Sequence, residues 1–126
     1  MSFYVLDFIK LALKQNIPSA RKLLLTEIID YIKSKIDNNQ EINLNFICTH
    51  NSRRSQLSQV WAKVASVYYG IEINSYSGGV QVTAFDERAI DSLVRSGFSI
   101  LSENSINPKF EISYLENENP IIAFSK

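Results

Sequence analysis

Apolar positions recur at helical spacing through the first 40 residues of the chain, and this pattern predicts two helices. The first helix presents one face formed by Leu6, Ile9 and Leu13. The second follows the start signals Pro18 and Ser19, with Ser19 as the candidate N-cap, and its apolar stripe comprises Leu24, Ile28, Tyr31, Ile32 and Ile36. We expect this region to form a packing hairpin, and a partner-binding or dimerising arm is the alternative.

The periodicity then changes to the order strand, loop, helix, strand, helix. Residues 42–48 alternate between apolar and polar and then become continuously apolar, which is typical of a strand entering a core. A helix with an apolar face over residues 57–68 follows, and residues 71–77 predict a second strand that ends at the glycine pair 78–79. This order predicts an α/β fold in which a right-handed crossover joins parallel strands.

Shorter signals occupy the remainder of the chain. Thr83 and Asp86 have the spacing of a capping box ahead of a helix. Residues 110–114 and 121–124 resemble two short strands, which we interpret as a hairpin with a turn at residues 117–120. We therefore divide the chain into an N-terminal helical extension, residues 1–40, and an α/β domain, residues 41–126.

Composition excludes several classes of protein. Thirteen Lys and Arg balance thirteen Asp and Glu in a chain of 126 residues, so the basic field of a non-specific nucleic-acid binder is absent. The chain has one cysteine, which excludes an intramolecular disulfide and a Cys-rich metal site. Charged residues interrupt every long apolar stretch, and the N-terminus lacks the basic region of a signal peptide. We expect a cytoplasmic protein with a reduced thiol, no membrane contact, no metal and no cofactor.

The residues that carry chemistry are concentrated between Cys48 and Ser55. Here a cysteine ends a strand, an arginine follows six positions later, and a helix begins. A short loop of this kind can direct successive N–H groups at one centre, next to the positive end of the helix. Arg53 and Arg54 add charge, and a guanidinium can bind two oxygens of a tetrahedral oxyanion. A thiol in such a site has a lowered pKa and acts as a nucleophile.

The sequence from Cys48 to Ser55 resembles the CX5R(S/T) signature of the low-molecular-weight protein tyrosine phosphatases and their arsenate-reductase relatives. The Trp61-bearing helix, the small-residue stretch 75–79 and the helix start at 83–89 resemble further parts of that family. The likeness covers about residues 42–98. It implies a phosphotyrosine phosphatase I-like parallel sheet flanked by helices, with an N-terminal helical extension.

The resemblance also implies a role for each loop residue. Cys48 matches the nucleophile that forms a phosphocysteine, Arg54 the transition-state arginine, and Ser55 the hydroxyl that supports the thiolate as a leaving group. Asn51 matches the asparagine that holds the loop in shape. The implied substrate-binding residues, largely through main-chain N–H groups, are Thr49, His50, Asn51, Ser52 and Arg53.

Three departures from the family pattern change what is expected. Arg53 stands where many members have a second loop cysteine, and His50 stands where glycine is common. The family's general acid is a late aspartate, whereas this chain has no aspartate after Asp91. The family's third and fourth core strands lack clear counterparts, so we expect an incomplete sheet and a domain shortened at its C-terminal end.

Three hypotheses for function follow from these residues. The first is a cysteine-dependent phosphatase that hydrolyses phosphomonoesters, with a phosphotyrosine protein as one substrate. The second is an arsenate reductase-like enzyme that takes electrons from an external thiol such as glutathione or a redoxin. The third is a non-catalytic module that binds an oxyanion or another protein. All three share a phosphate-like or arsenate-like oxyanion as ligand, and a homo-oligomer is compatible with each.

Overall fold

The computed structural model describes residues 3–115 and 118–126, and their order of elements is the α/β order predicted from the sequence. The helices of this part of the chain are α1 (Phe3–Leu13), α2 (Ser19–Asp37), α3 (Arg54–Tyr69) and α4 (Glu87–Arg95). The strands are β1 (Asn43–Cys48), β2 (Asn74–Gly79), β3 (Ser99–Ser102), β4 (Phe110–Ser113) and β5 (Ile121–Ala123). No helix within these residues is both long and apolar enough to cross a membrane.

Strands β1 and β2 form a parallel pair, which confirms the predicted α/β class. The register places Asn43 opposite Asn74 and Cys48 opposite Gly79. Strand β2 begins three residues later than predicted and includes the two glycines at which it was expected to end. The glycines remain extended because they pair with the last residues of β1, and this brings the backbone of β2 beside the end of that strand.

Strands β3, β4 and β5 form a separate antiparallel sheet in that order. The predicted hairpin is confirmed by the antiparallel pairing of β4 with β5. Its turn was predicted at residues 117–120, of which Asn117 lies outside the described residues. Strand β3 was not predicted, because its four residues are mostly exposed and do not alternate between apolar and polar. Among the described strands, β1 and β2 are the parallel ones.

One hydrophobic core joins α1, α3, α4 and the antiparallel sheet. Its fully buried side chains include Val5, Val60, Val64, Leu93 and Ile112. The aromatic ring of Trp61 on α3 lies between Phe8 and Phe98, at centroid distances of 4.9 and 5.2 Å. The core therefore holds α3, which carries the loop at its N-terminus, against the rest of the chain.

Helix α2 differs from its expected role in a packing hairpin. None of its residues is buried, and Leu24, Ile28 and Ile36 of the predicted stripe are exposed. Ser19 is the first helical residue rather than the N-cap, a position taken by Pro18. The apolar periodicity correctly predicted a helix here, but periodicity alone does not supply a surface for that helix to pack against.

Candidate active site

The loop at residues 49–53 connects the end of β1 to the start of α3 and places Cys48 and Arg54 at its two ends. Gly70 ends α3 in the left-handed conformation. The first turn of α3 supplies the exposed N–H groups and the positive end of the helix dipole. The sequence therefore folds locally as expected, with a thiol and a guanidinium at opposite ends of one turn.

The carbonyl groups of residues 49–52 all point away from the inside of the loop. Each accepts a hydrogen bond from a group elsewhere in the protein. The donors are Val80 N–H and Gln81 N–H for Thr49 (2.8 and 2.9 Å), the hydroxyls of Thr83 and Ser125 for His50 (3.0 and 2.9 Å), Gln56 Nε2 for Asn51 (3.0 Å) and Asp86 N–H for Ser52 (2.9 Å).

The N–H groups of the same peptides consequently line the inside of the loop. In a trans peptide the carbonyl and the next N–H point in opposite directions, so an outward carbonyl at residue 50 requires an inward N–H at residue 51. Successive inward N–H groups form a concave site with positive partial charge. The loop is therefore preorganised to bind an anion next to the start of α3.

The thiol of Cys48 lies within this set of donors. Partial burial raises its pKa, but the hydroxyl of Ser55 and the backbone N–H groups of Ser55, Asn51 and Ser52 donate to the sulfur and outweigh burial. The net effect lowers the pKa of Cys48 from its ordinary 9.0 to about 7. A large fraction of the sulfur is therefore thiolate at neutral pH, the form that acts as a nucleophile.

Asn51 connects the loop to the protein beneath it. Its side chain is fully buried, and its backbone adopts the left-handed conformation with φ 49°. Asparagine tolerates this conformation better than most residues with a side chain. The Asn51 amide donates to Ser55 Oγ at 2.7 Å and accepts from Gln56 Nε2 and Lys126 N–H at 3.0 and 2.8 Å. Every polar atom of the buried amide thus has a partner.

Gly79 allows β2 to approach the loop closely. A Cβ atom at this position would lie 2.8 Å from the backbone nitrogen of Asn51 and 3.1 Å from the carbonyl carbon of His50. These distances are shorter than ordinary van der Waals contact. The Gly79 N–H donates to the backbone carbonyl of Lys126 at 2.7 Å. Residue 79 must therefore be glycine because a Cβ atom would collide with the loop, and not because the backbone there needs a conformation that other residues avoid.

Two adjoining recesses open at the loop, and Cys48 and Arg54 line both of them. One has a volume of about 410 Å³ and includes Phe46, Ile47 and Val80 in its wall. The other has a volume of about 260 Å³ and is polar. Within residues 3–115 and 118–126 no ion pair engages the exposed Arg54 side chain, so its guanidinium can bind an anion placed at the sulfur.

Other predicted site residues also line these two recesses. His50, Ser52 and Arg53 line the polar recess together with Asp86. Asp86 is the N-cap of α4, where its carboxylate accepts from Arg88 N–H at 2.8 Å. The predicted capping box is wrong in its first member, because the Thr83 hydroxyl donates to His50 in the loop instead of capping α4.

Three residues that contact the loop were not identified from the sequence. Gln56 is fully buried beneath Asn51, whereas glutamine is ordinarily a surface residue. Ser125 and Lys126 contact residues that lie 75 positions earlier in the chain. No local pattern predicts such pairings, so only the folded chain reveals them.

Comparison with curated proteins finds bacterial arsenate reductases. The chain is 35% identical to an arsenate reductase of Bacillus licheniformis over 60 residues, which are 48% of this chain and 41% of that protein. It is 30% identical to one from Bacillus cereus over 78 residues, 62% of this chain and 54% of that protein. It is 37% identical to arsenate reductase 2 of Staphylococcus haemolyticus over 60 residues, 48% of this chain and 44% of that protein.

Over about half of its length, the chain is similar to arsenate reductases. It spans about half the length of the curated relatives that it matches. No family model matches the chain, and no solved structure gives a significant match.

Proposed function

We propose that the chain is a cysteine-dependent enzyme that reduces arsenate with electrons from an external thiol. The observation that carries the proposal is the position of the Cys48 sulfur among inward N–H groups, where its pKa falls to about 7. Similarity to bacterial arsenate reductases favours arsenate as the oxyanion. Cys48 and Arg54 are the residues assigned to catalysis and to binding of the anion's oxygens, with Ser55 supporting the thiolate.

In the first step the Cys48 thiolate attacks arsenic. A sulfur–arsenic bond forms, an arsenic–oxygen bond breaks, and the departing oxygen leaves as water after protonation. The inward N–H groups of residues 50–53 and the Arg54 guanidinium offset the negative charge on the remaining oxygens. Arsenate brings its own acidic hydroxyl groups, so departure of water does not require a protein carboxyl at the site.

The second step needs a thiol from outside the chain, because Cys48 is the only cysteine in the sequence. A thiolate attacks the sulfur of Cys48, a disulfide bond forms, and the pair of electrons of the sulfur–arsenic bond stays on arsenic. Arsenic(V) becomes arsenic(III) and departs as arsenite. A second thiol then releases Cys48, so that two thiols and one arsenate yield one disulfide, one arsenite and one water.

Phosphomonoester hydrolysis is the second candidate, supported by the resemblance of residues 48–55 to the phosphatase signature. A phenolate leaving group benefits from a general acid, which contributes about 10²- to 10⁴-fold in rate. The sequence has no aspartate after Asp91 to supply one. We therefore expect hydrolysis of an activated aryl phosphate to be slow and hydrolysis of phosphotyrosine to be slower.

The experiment supplies arsenate with glutathione or with a reduced redoxin and measures arsenite. The native chain is expected to form arsenite, and Cys48→Ser is expected to form none while still binding arsenate. The same preparations are tested with p-nitrophenyl phosphate. Arsenite formation unchanged in Cys48→Ser, or no arsenite with any thiol donor, would overturn the proposal. Faster turnover of the aryl phosphate than of arsenate would favour the phosphatase.

A further inference from the structure

Two hydroxyl groups from distant parts of the chain donate to the same carbonyl of the loop. Thr83 Oγ1 lies 3.0 Å and Ser125 Oγ lies 2.9 Å from the carbonyl oxygen of His50. Ser125 Oγ also accepts from the backbone N–H of Thr83 at 2.8 Å. A carbonyl oxygen has two lone pairs, and here both are occupied by hydroxyl donors on the outer side of the loop.

The peptide that carries this carbonyl also carries a donor to the sulfur of Cys48. The N–H at the other end of the same planar group belongs to Asn51, and it is one of the backbone groups that donates to the thiol. Because the peptide is rigid, fixing the direction of the His50 carbonyl fixes the direction of the Asn51 N–H. The hydroxyls therefore act on the sulfur through the peptide without contacting it.

Ser125 is itself held firmly. Its side chain is 1% exposed, and the Asn107 side chain bonds both its backbone groups, with Nδ2 donating to the carbonyl at 2.8 Å and Oδ1 accepting from the N–H at 3.2 Å. The next residue, Lys126, donates its N–H to Asn51 Oδ1. The segment after β5 thus contacts the loop at two neighbouring residues and is anchored on its other side.

We propose that the hydroxyls of Thr83 and Ser125 are positioning groups of the site, which hold the His50–Asn51 peptide with its N–H directed at the Cys48 sulfur. The proposal rests on the role assigned above to Cys48. It extends the site beyond residues 48–55 to two segments that the loop sequence does not include. Neither hydroxyl is assigned a contact with the substrate.

The chain offers matched variants for a test. Thr83→Val removes a hydroxyl from an exposed residue at almost unchanged shape, and Thr83→Ser retains the hydroxyl. Ser125→Ala removes the second donor. Ser113→Ala, on the exposed face of β4, is the control for a serine-to-alanine change in the same part of the fold. All four variants keep the charged and titratable neighbours of the thiol in the polar recess, which are His50, Arg53, Arg54 and Asp86.

The measurement is the rate of Cys48 alkylation by iodoacetamide as a function of pH, for which the single cysteine gives an unambiguous signal. We expect the midpoint to rise by about half a pH unit in Thr83→Val and by about one unit in Ser125→Ala, with a larger rise in the double variant. Thr83→Ser and Ser113→Ala should match the native chain. The affinity for arsenate should weaken about 3- to 10-fold in Thr83→Val and in Ser125→Ala.

An unchanged midpoint in Thr83→Val and in a folded Ser125→Ala would overturn the proposal. Because Ser125 is buried, Ser125→Ala is compared only where circular dichroism shows a native fold. Where it does not, the difference in midpoint between Thr83→Val and Thr83→Ser decides the test. Alkylation involves no arsenate and no turnover. Failure of the native chain to produce arsenite would therefore overturn the proposed reaction while leaving this result intact.

Discussion

The sulfur of Cys48 lies 3.0 Å from the hydroxyl oxygen of Ser55, seven residues later in the first turn of α3. Asn51 Nδ2 donates to the same hydroxyl oxygen at 2.7 Å, which leaves the hydroxyl hydrogen available to the sulfur. The strand end, the loop and the helix start are thus joined by two successive side-chain hydrogen bonds. This arrangement stabilises the charged form of the thiol in preference to the neutral form.

Removal of the Ser55 hydroxyl should therefore raise the pKa of the Cys48 thiol. A hydrogen bond to a charged group contributes about 1.5 to 3 kcal/mol, so we expect Ser55→Ala to raise the pKa from about 7 by about one to two units, towards the ordinary 9.0. The rate of alkylation at pH 7 should fall about 5- to 50-fold, in proportion to the loss of thiolate. Ser34→Ala, an exposed serine of α2, is the control. An unchanged alkylation midpoint in Ser55→Ala would contradict the role assigned to this hydroxyl.

The lowered pKa also links stability to pH. The folded chain holds the thiol at a pKa of about 7 and the unfolded chain at the ordinary 9.0, so the folded form binds the proton more weakly between these values. The Cys48 contribution to the free energy of unfolding is fully present above pH 9.0 and is lost as the pH falls through 7. Denaturant titrations of the native chain and of Cys48→Ala over this interval measure it. If the difference in free energy of unfolding between the native chain and Cys48→Ala does not vary with pH, the linkage is refuted.

The sequence predicted the conformation of the loop because the turn between β1 and α3 is a local feature. A cysteine at the end of an apolar strand, an arginine six positions later and a helix start lie within eight consecutive residues. Hydrogen bonds join Cys48 and Asn51 to Ser55, and Arg54 lines the same recess as Cys48. The parallel pairing of β1 with β2 also followed from the alternation of strand and helix. Both results depend on signals that are short in sequence.

The sequence did not predict the support around the loop, because that support is set by tertiary packing. Ser125 has an ordinary sequence context, and its contact with His50 spans 75 positions. Strand β3 has too few buried residues to show a period of two. For α2 the sequence predicted too much, because its clear apolar stripe indicated a buried face and the structure buries none of its residues.

The close approach of β2 to the loop gives a sharp test at two adjacent glycines. Gly79→Ala places a Cβ atom 2.8 Å from the Asn51 nitrogen, and backbone on both sides must move. We expect a loss of about 1 to 3 kcal/mol in the free energy of unfolding and a weakening of arsenate binding by about tenfold. Gly78→Ala is the matched control, because its Cβ meets only the Lys126 carbonyl oxygen at 3.8 Å. Equal effects at the two glycines would contradict the steric account.

Asp86 is the acidic residue that lines the recess with Cys48, and its surroundings are unsuited to a general acid. A side-chain hydrogen bond from Arg88, followed by the Arg88 N–H, lowers the pKa of the Asp86 carboxyl, so the group is ionised at neutral pH and has no proton to donate.

Asp86→Asn keeps an oxygen that can accept at the N-cap and should leave arsenite formation within about threefold of the native rate. Asp86→Ala removes the cap of α4 and should lower the melting temperature by a few degrees. The measurement compares steady-state arsenite formation with thermal unfolding for both variants. A hundredfold fall in rate for Asp86→Asn at an unchanged melting temperature would make Asp86 the acid after all.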